Sequence, residues 1–182
     1  MKQSMMEKSD KLVEKAQKIK CFFTDVDGTL TDGWVYYSAE GEQLKAFSLR
    51  DGTGFFLLRQ VGIRTGIITT ENSPIVAKRA EKLKVDAYIF GSEHKLEMLS
   101  QFVQANGLTF DEIAYIGDEI NDYKLIDACG LSFAVADAVE LVKRKADIVL
   151  SNKGGQHAFR EAVEMLFNLK GLDIKDIIES SL

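Results

Sequence analysis

Short apolar runs alternate with longer mixed stretches along most of this chain. The runs 19–25, 65–70, 85–90, 113–118, 131–135 and 147–150 read as strands, most of them apolar throughout. The stretches between them read as helices over about 53–61, 73–83, 93–105, 121–128 and 138–145. Ser73 is placed to cap the second of these, with Pro74 at its first helical position, and Asn106-Gly107 stops the third. Gly154-Gly155 breaks the chain before two last helices near 158–169 and 174–180. An opening helix over about 4–18 puts Met5, Leu12, Val13 and Ala16 at helical spacing among lysines and glutamates. It is expected to pack on the domain or on a neighbouring subunit. Strands alternating with helices predict an α/β fold, a parallel sheet covered on both faces, built from residues 1–182 as one unit.

One segment departs from the alternation. Over 34–48, β-rich arms flank a turn at Gly41, and the arms carry Trp34, Tyr36, Tyr37 and Phe47. This reads as an inserted hairpin. Two strands alone are marginal in water, so the hairpin is expected to pack against something, and a subunit interface is the expectation.

The chain has 182 residues, of which 46% are hydrophobic and 28% charged, enough for a substantial core. Its net charge of −5 argues against non-specific nucleic-acid binding. No apolar run approaches the ~18 residues of a membrane span, and the charged opening segment has no signal-peptide core. Cys21 and Cys129 lie in apolar contexts without metal-ligand spacing. They read as buried free thiols, and a cytoplasmic location is expected.

The candidate chemistry lies at strand ends. In a sheet of this kind, ligands bind beyond the carboxyl ends of the strands. Asp25, Thr69 and Asp118 all fall there, although they are far apart in sequence. Asp25 and Asp27 are one residue apart at the end of an extended run, so both point into one site while Val26 turns away. Two acids so close repel unless a cation lies between them. Asp25 and Asp118 are suited to Mg²⁺, a hard cation that prefers oxygen. A carboxylate such as Asp25 can also attack phosphorus, with Asp27 placed to protonate the leaving group and then deprotonate water. Thr69 can donate to a phosphoryl group, and Lys95 is the best-placed cation.

These residues carry a resemblance. Residues 25–33, Asp-Val-Asp-Gly-Thr-Leu-Thr-Asp-Gly, resemble the first motif of the haloacid dehalogenase superfamily of phosphatases. Thr69, Lys95 and residues 117–122, Gly-Asp-Glu-Ile-Asn-Asp, resemble the second, third and fourth motifs, in the expected order. The resemblance implies a Rossmann-like sheet, with Asp25 as nucleophile, Asp27 as acid and base, and Thr69 and Lys95 as phosphate holders. It implies metal ligation by Asp25, the Asp27 backbone carbonyl and Asp118. Asn121 and Asp122 are supporting residues, Asp122 toward Lys95 or a metal-bound water.

The gaps between motifs leave no room for a cap domain. The chain therefore resembles the capless branch that includes the 3-deoxy-D-manno-octulosonate 8-phosphate phosphatases, as do Asp32-Gly33, Arg50-Asp51-Gly52, Arg79-Ala80 and residues 154–161. That branch implies a homotetramer whose hairpins pack together and whose active sites are covered by a neighbour. Many of its members read Thr-Gly-Arg at the second motif, where this chain has Thr69-Thr70-Glu71. Glu71 with Arg79 and Lys82 is closer to phosphatases of nine-carbon sugar-acid 9-phosphates, of the KDN or N-acylneuraminate type. Arg50, Glu71, Arg79 and Lys82 are the candidate substrate contacts. Readings from other classes are a phospho-accepting signalling domain, disfavoured by the D-x-D-G-T turn, and a non-catalytic assembly protein, disfavoured by the intact acids and lysine.

Overall fold

The first strand, β1 (Cys21–Thr24), is buried along its whole length in the middle of a six-stranded sheet. The computed structural model describes residues 2–181, and the side chains of residues 1–6, 8 and 181–182 lie outside that description, Met5 among them. On one side β1 pairs in parallel with β4 (Arg64–Ile68), which pairs with β5 (Ala87–Ile89). On the other it pairs with β6 (Ile113–Gly117), followed by β7 (Leu131–Ala134) and β8 (Ile148–Val149). Every pairing in this sheet is parallel. Counted among themselves, the six strands lie in the order 3-2-1-4-5-6, the Rossmann arrangement, whose ligand crevice opens between the first and fourth. Here those strands are β1, which leads into Asp25, and β6, which leads into Asp118.

The helices are α1 (Lys2–Lys18), α2 (Leu49–Gln60), α3 (Pro74–Leu83), α4 (Lys95–Ala105), α5 (Tyr123–Ala128), α6 (Glu140–Lys145), α7 (Ala158–Lys170) and α8 (Ile174–Ser181). α2 packs against α3, α7 and α8, and α1 against α7; α5 packs against α4 and α6. These two groups cover the two faces of the sheet. Phe22, Phe55, Phe133 and Phe159 join in ring contacts in the core, and Cys21 and Cys129 are both buried. Among the described residues no helix is long and apolar enough to cross a membrane.

Two expectations are corrected. Val13 does not share the buried face of α1: Ala16 is fully buried, whereas Val13 is 38% exposed. α2 begins at Leu49 rather than near Thr53. Ser48 caps it by accepting from the Asp51 N–H, and Gly52, which reads as loop, and Gly54 are packing sites within it. A Cβ on Gly54 would lie 3.2 Å from the Phe159 ring, and one on Gly52 would lie 3.1 Å from Arg79.

The inserted segment forms β2 (Tyr36–Ser38) and β3 (Gly41–Leu44), an antiparallel pair separate from the main sheet. Phe47 is half-buried under Arg79, but the segment's other aromatics stand exposed among the described residues. Trp34 is 72% and Tyr37 70% exposed. The only elements between β4 and α4 are α3 and β5, so among the described residues no inserted domain folds over the carboxyl edge of the sheet as a cap.

Candidate active site

After β1 the chain turns sharply. The N–H groups of Leu30 and Thr31 both bond to the Val26 carbonyl, and Val26 is fully buried, pointing away from its acidic neighbours. Gly28 makes the turn at φ +87°, and a Cβ there would strike the Asp118 carboxylate at 2.1 Å. The loops after β1 and β6 therefore meet at Gly28. Thr29 donates from Oγ1 to Asp118 Oδ1 at 3.0 Å, fixing one carboxylate from the other loop.

The acids converge on one point. Single carboxylate oxygens of Asp25, Asp118 and Asp122 all lie within 4.8 Å of one another. A cavity of about 280 Å³ opens over Asp25 and Asp118, lined also by Asp27, Thr69, Thr70 and Asn121 among others. Burial, with the Asp122 charge adding to it and Lys95 opposing, pushes the Asp25 carboxyl up to about 6. Burial and the charges of Asp25 and Asp122 push Asp118 up to about 8.

Lys95 opens α4 and is buried. Its ammonium lies 2.6 Å from Asp25 Oδ1 and 2.6 Å from Asp122 Oδ1. Burial alone works against that charge, but the two carboxylates outweigh it and hold the ammonium above the usual lysine range.

Asp122 is the hub behind the site. Its Oδ1 accepts from Lys95 and from the Tyr115 hydroxyl at 2.5 Å. Its Oδ2 accepts from the N–H groups of Asp118 and Glu119 at 2.9 and 3.2 Å. A carboxylate offers about four acceptor positions, and all are taken. Asp122 is thus already engaged by donors within the chain, although it lies close enough to the other two acids to share a metal. Asp25 and Asp118 retain acceptor capacity toward the cavity, and the all-oxygen donor set fits a hard divalent cation. Gly117 makes room for this hub, since a Cβ there would meet Asp122 at 2.4 Å.

Thr69 follows β4, is buried, and accepts the Glu71 N–H on its hydroxyl. Asp27 lines the cavity and pairs with Lys45, from the end of the hairpin, at 2.5 Å. Sequence reading missed Lys45 and Tyr115: the first reads as a surface lysine, the second as a core aromatic.

The four candidate substrate residues do not line the cavity within one chain. Glu71 is exposed next to Thr70, and Lys82 is exposed on α3. Arg50 faces a separate cavity of about 520 Å³ with Asp32, Ser48 and His157. Arg79 is built into the structure: it donates to the Ser48 carbonyl at 2.9 Å and lies over the Phe47 ring.

The fold and site agree with known proteins. A haloacid dehalogenase-like hydrolase family model matches residues 67–157. The 3-deoxy-D-manno-octulosonate 8-phosphate phosphatase of Haemophilus influenzae is 40% identical over 158 residues, covering 87% of this chain and 88% of that protein. A crystal structure of the Moraxella catarrhalis enzyme of that name, in complex with magnesium ion, phosphate ion and KDO, superposes with TM-score 0.89 and 33% identity over 95% of this chain and 99% of that one. The cobalt-bound Haemophilus influenzae phosphatase gives TM-score 0.85 and 38% identity, over 90% of this chain and 98% of that one. With these matches spanning both the acidic loops and the whole sheet, the chain belongs to the 3-deoxy-D-manno-octulosonate 8-phosphate phosphatase family of haloacid dehalogenase-like hydrolases, and is a phosphoric monoester hydrolase.

Proposed function

We propose that this chain hydrolyses a phosphorylated 2-keto-3-deoxy sugar acid, with 3-deoxy-D-manno-octulosonate 8-phosphate as the first candidate. The observation that carries the reading is the convergence of Asp25, Asp118 and Thr69 on one small cavity at the strand crossover point, with the Lys95 ammonium bonded to Asp25 behind it. The octulosonate 8-phosphate phosphatases among its relatives, one in complex with KDO, support the choice of sugar acid.

Asp25 attacks phosphorus, forming an aspartyl-phosphate as the bond to the sugar oxygen breaks. Asp27 gives its proton to that oxygen. Water then attacks phosphorus, Asp27 takes the proton, and the bond to Asp25 breaks to release inorganic phosphate. Lys95 and Thr69 hold the phosphoryl oxygens, with Lys95 steadied by Asp122 and Asn121 at the rim. Asp25, the Asp27 backbone carbonyl and Asp118 would hold Mg²⁺, which when bound neutralises charge on the transferring group. The Rossmann strand order also separates this chain from phospho-accepting signalling domains, which use the order 2-1-3-4-5.

A cavity of about 280 Å³ is at the small end for a ligand site and suits a phosphoryl group better than a whole eight-carbon chain. A neighbouring subunit covering the cavity supplies the rest. The exposed Trp34, Tyr36 and Tyr37 on the hairpin support a homotetramer with sites at its interfaces. The two buried free thiols fit a cytoplasmic setting. A nine-carbon 9-phosphate is the second reading. It is favoured by Glu71, an exposed acid beside the cavity-lining Thr70, where it can accept hydrogen bonds from a longer polar tail.

The test is phosphate release from octulosonate 8-phosphate, nine-carbon sugar-acid 9-phosphates and hexose phosphates, with Mg²⁺. A kcat/KM at least about 10-fold higher for keto acids is expected, the equivalent of ~1.4 kcal/mol in transition-state binding. Equal turnover of hexose phosphates would reject the substrate class.

A further inference from the structure

The hairpin delivers one side chain into the protein. Lys45 follows β3, and although its backbone lies near the surface its side chain is only 1% exposed. Its ammonium lies 2.5 Å from Asp27 Oδ1 and 3.9 Å from Glu42 Oε2. Glu42 is itself anchored, because the Ser73 hydroxyl donates to its Oε1 at 2.7 Å. Ser73 in turn caps α3 by accepting the Val76 N–H at 3.3 Å. A chain of polar contacts therefore runs from the helix cap through the hairpin to Asp27.

A buried ammonium is costly unless paired, so Lys45 is held where its partners are. Asp27 needs such a partner. It sits in a loop beyond β1 and is half-buried, and among the described residues Lys45 is the one side chain bonded to its carboxylate. Proton transfer demands that the carboxyl stay within hydrogen-bond reach of the leaving oxygen. Holding Oδ1 fixes the carboxyl plane and leaves Oδ2 to carry the proton.

We propose that Lys45 is the positioning residue for Asp27, so that the inserted hairpin aims the acid that protonates the leaving group. This rests on the reading of Asp27 as acid and base. It adds a function for the hairpin separate from any subunit contact.

The test exploits the leaving group. An alkyl phosphate needs a proton as it departs, whereas p-nitrophenol leaves without one. In the Lys45→Met variant, kcat/KM for octulosonate 8-phosphate is expected to fall about 30-fold or more, within the range of general acid catalysis. For p-nitrophenyl phosphate it is expected to fall by less than about 3-fold, because Asp25 and Lys95 are untouched. A purely structural defect lowers both alike and would overturn the proposal, as would no loss with either ester. Asp27→Asn is the control. If it shows the leaving-group dependence and Lys45→Met does not, the Lys45 role fails alone. If Asp27→Asn itself lacks that dependence, the acid reading fails and takes the Lys45 role with it. Should Lys45→Met fold poorly, a Lys45→Cys variant alkylated with 2-bromoethylamine rebuilds an ammonium of nearly the original length. Because position 45 is as buried as Cys21 and Cys129, the alkylation is done in a Cys21→Ala, Cys129→Ala background that is unfolded in urea and then refolded. Recovery of octulosonate 8-phosphate turnover on alkylation supports the proposal, and full alkylation without recovery contradicts it.

Discussion

The Lys95 ammonium donates to Asp25 Oδ1 across 2.6 Å, joining the first turn of α4 to the end of the central strand. Both side chains are almost wholly buried, at 1% and 6% exposure. Lys95 also serves Asp122, so one cation offsets two carboxylates in the interior. Lys95→Met leaves both without it. A loss of about 3–5 kcal/mol is expected in chemical denaturation at pH 8, with activity abolished. The loss should shrink near pH 5, where Asp25 can take up a proton instead. A variant as stable as the parent at pH 8 would refute the pairing.

Asp118 and Asp25, held up to about 8 and about 6, give the metal-free protein a defined pH response. Their unfolded carboxyls titrate near 3.8. Between those values the folded state binds more protons than the unfolded one, so stability falls as pH rises. A divalent ion removes the repulsion that the protons relieved. The thermal midpoint without metal is expected to drop from pH 5.5 to pH 8. The gain on adding Mg²⁺ should be larger at pH 8, each kcal/mol being worth about 2–4 °C at this chain length. Asp118→Asn should lose most of that gain. A metal effect independent of pH would contradict the coupling.

Tyr115 reaches Asp122 from the middle of β6, and its hydroxyl is held above the usual tyrosine range by burial and the Asp122 charge. Tyr115→Phe deletes one of four donors to that carboxylate. A cost of about 1.5–3 kcal/mol is expected, as for hydrogen bonds to charged groups. kcat should fall more than KM changes, because Asp122 acts through Lys95. Urea titration and steady-state kinetics check both. A stability change below about 0.5 kcal/mol would show that the hydroxyl is not engaged.

The exposed aromatic face of the hairpin calls for point substitutions rather than deletion. Removing residues 34–47 would also remove Lys45. Trp34→Ser with Tyr37→Ser alters side chains that touch little within the chain and leaves the Asp27 contact in place. If the parent sediments as the proposed tetramer, the variant is expected to sediment as a smaller species. A persisting tetramer would move the interface elsewhere.

The sheet was legible because its strands are apolar runs between helical stretches, and the cavity at its edge because acids and a threonine terminate those runs. The early start of α2 was not. Gly52 reads as loop by propensity, yet it lies within the helix, where Arg79 packs closely against it. Lys45 was hidden for a similar reason. In a short hairpin arm a lysine reads as solvated, and only the fold turns it inward against Asp27. Arg79 shows the reverse: an arginine that reads as a substrate contact is tied to the Ser48 carbonyl and the Phe47 ring. Residues placed by their own strand ends or helix start, such as Asp25, Asp118 and Lys95, could be read in sequence; Lys45, whose partner comes from another loop, could not.

The most direct measurement is the covalent state of Asp25 during turnover. Acid quenching of the protein with ³²P-labelled octulosonate 8-phosphate and Mg²⁺, followed by peptide mapping, should place label on the peptide containing Asp25. The label should be released by hydroxylamine and absent from Asp25→Asn. Phosphate release by the parent with no label on that peptide, or turnover preserved in Asp25→Asn, would contradict nucleophilic attack by Asp25.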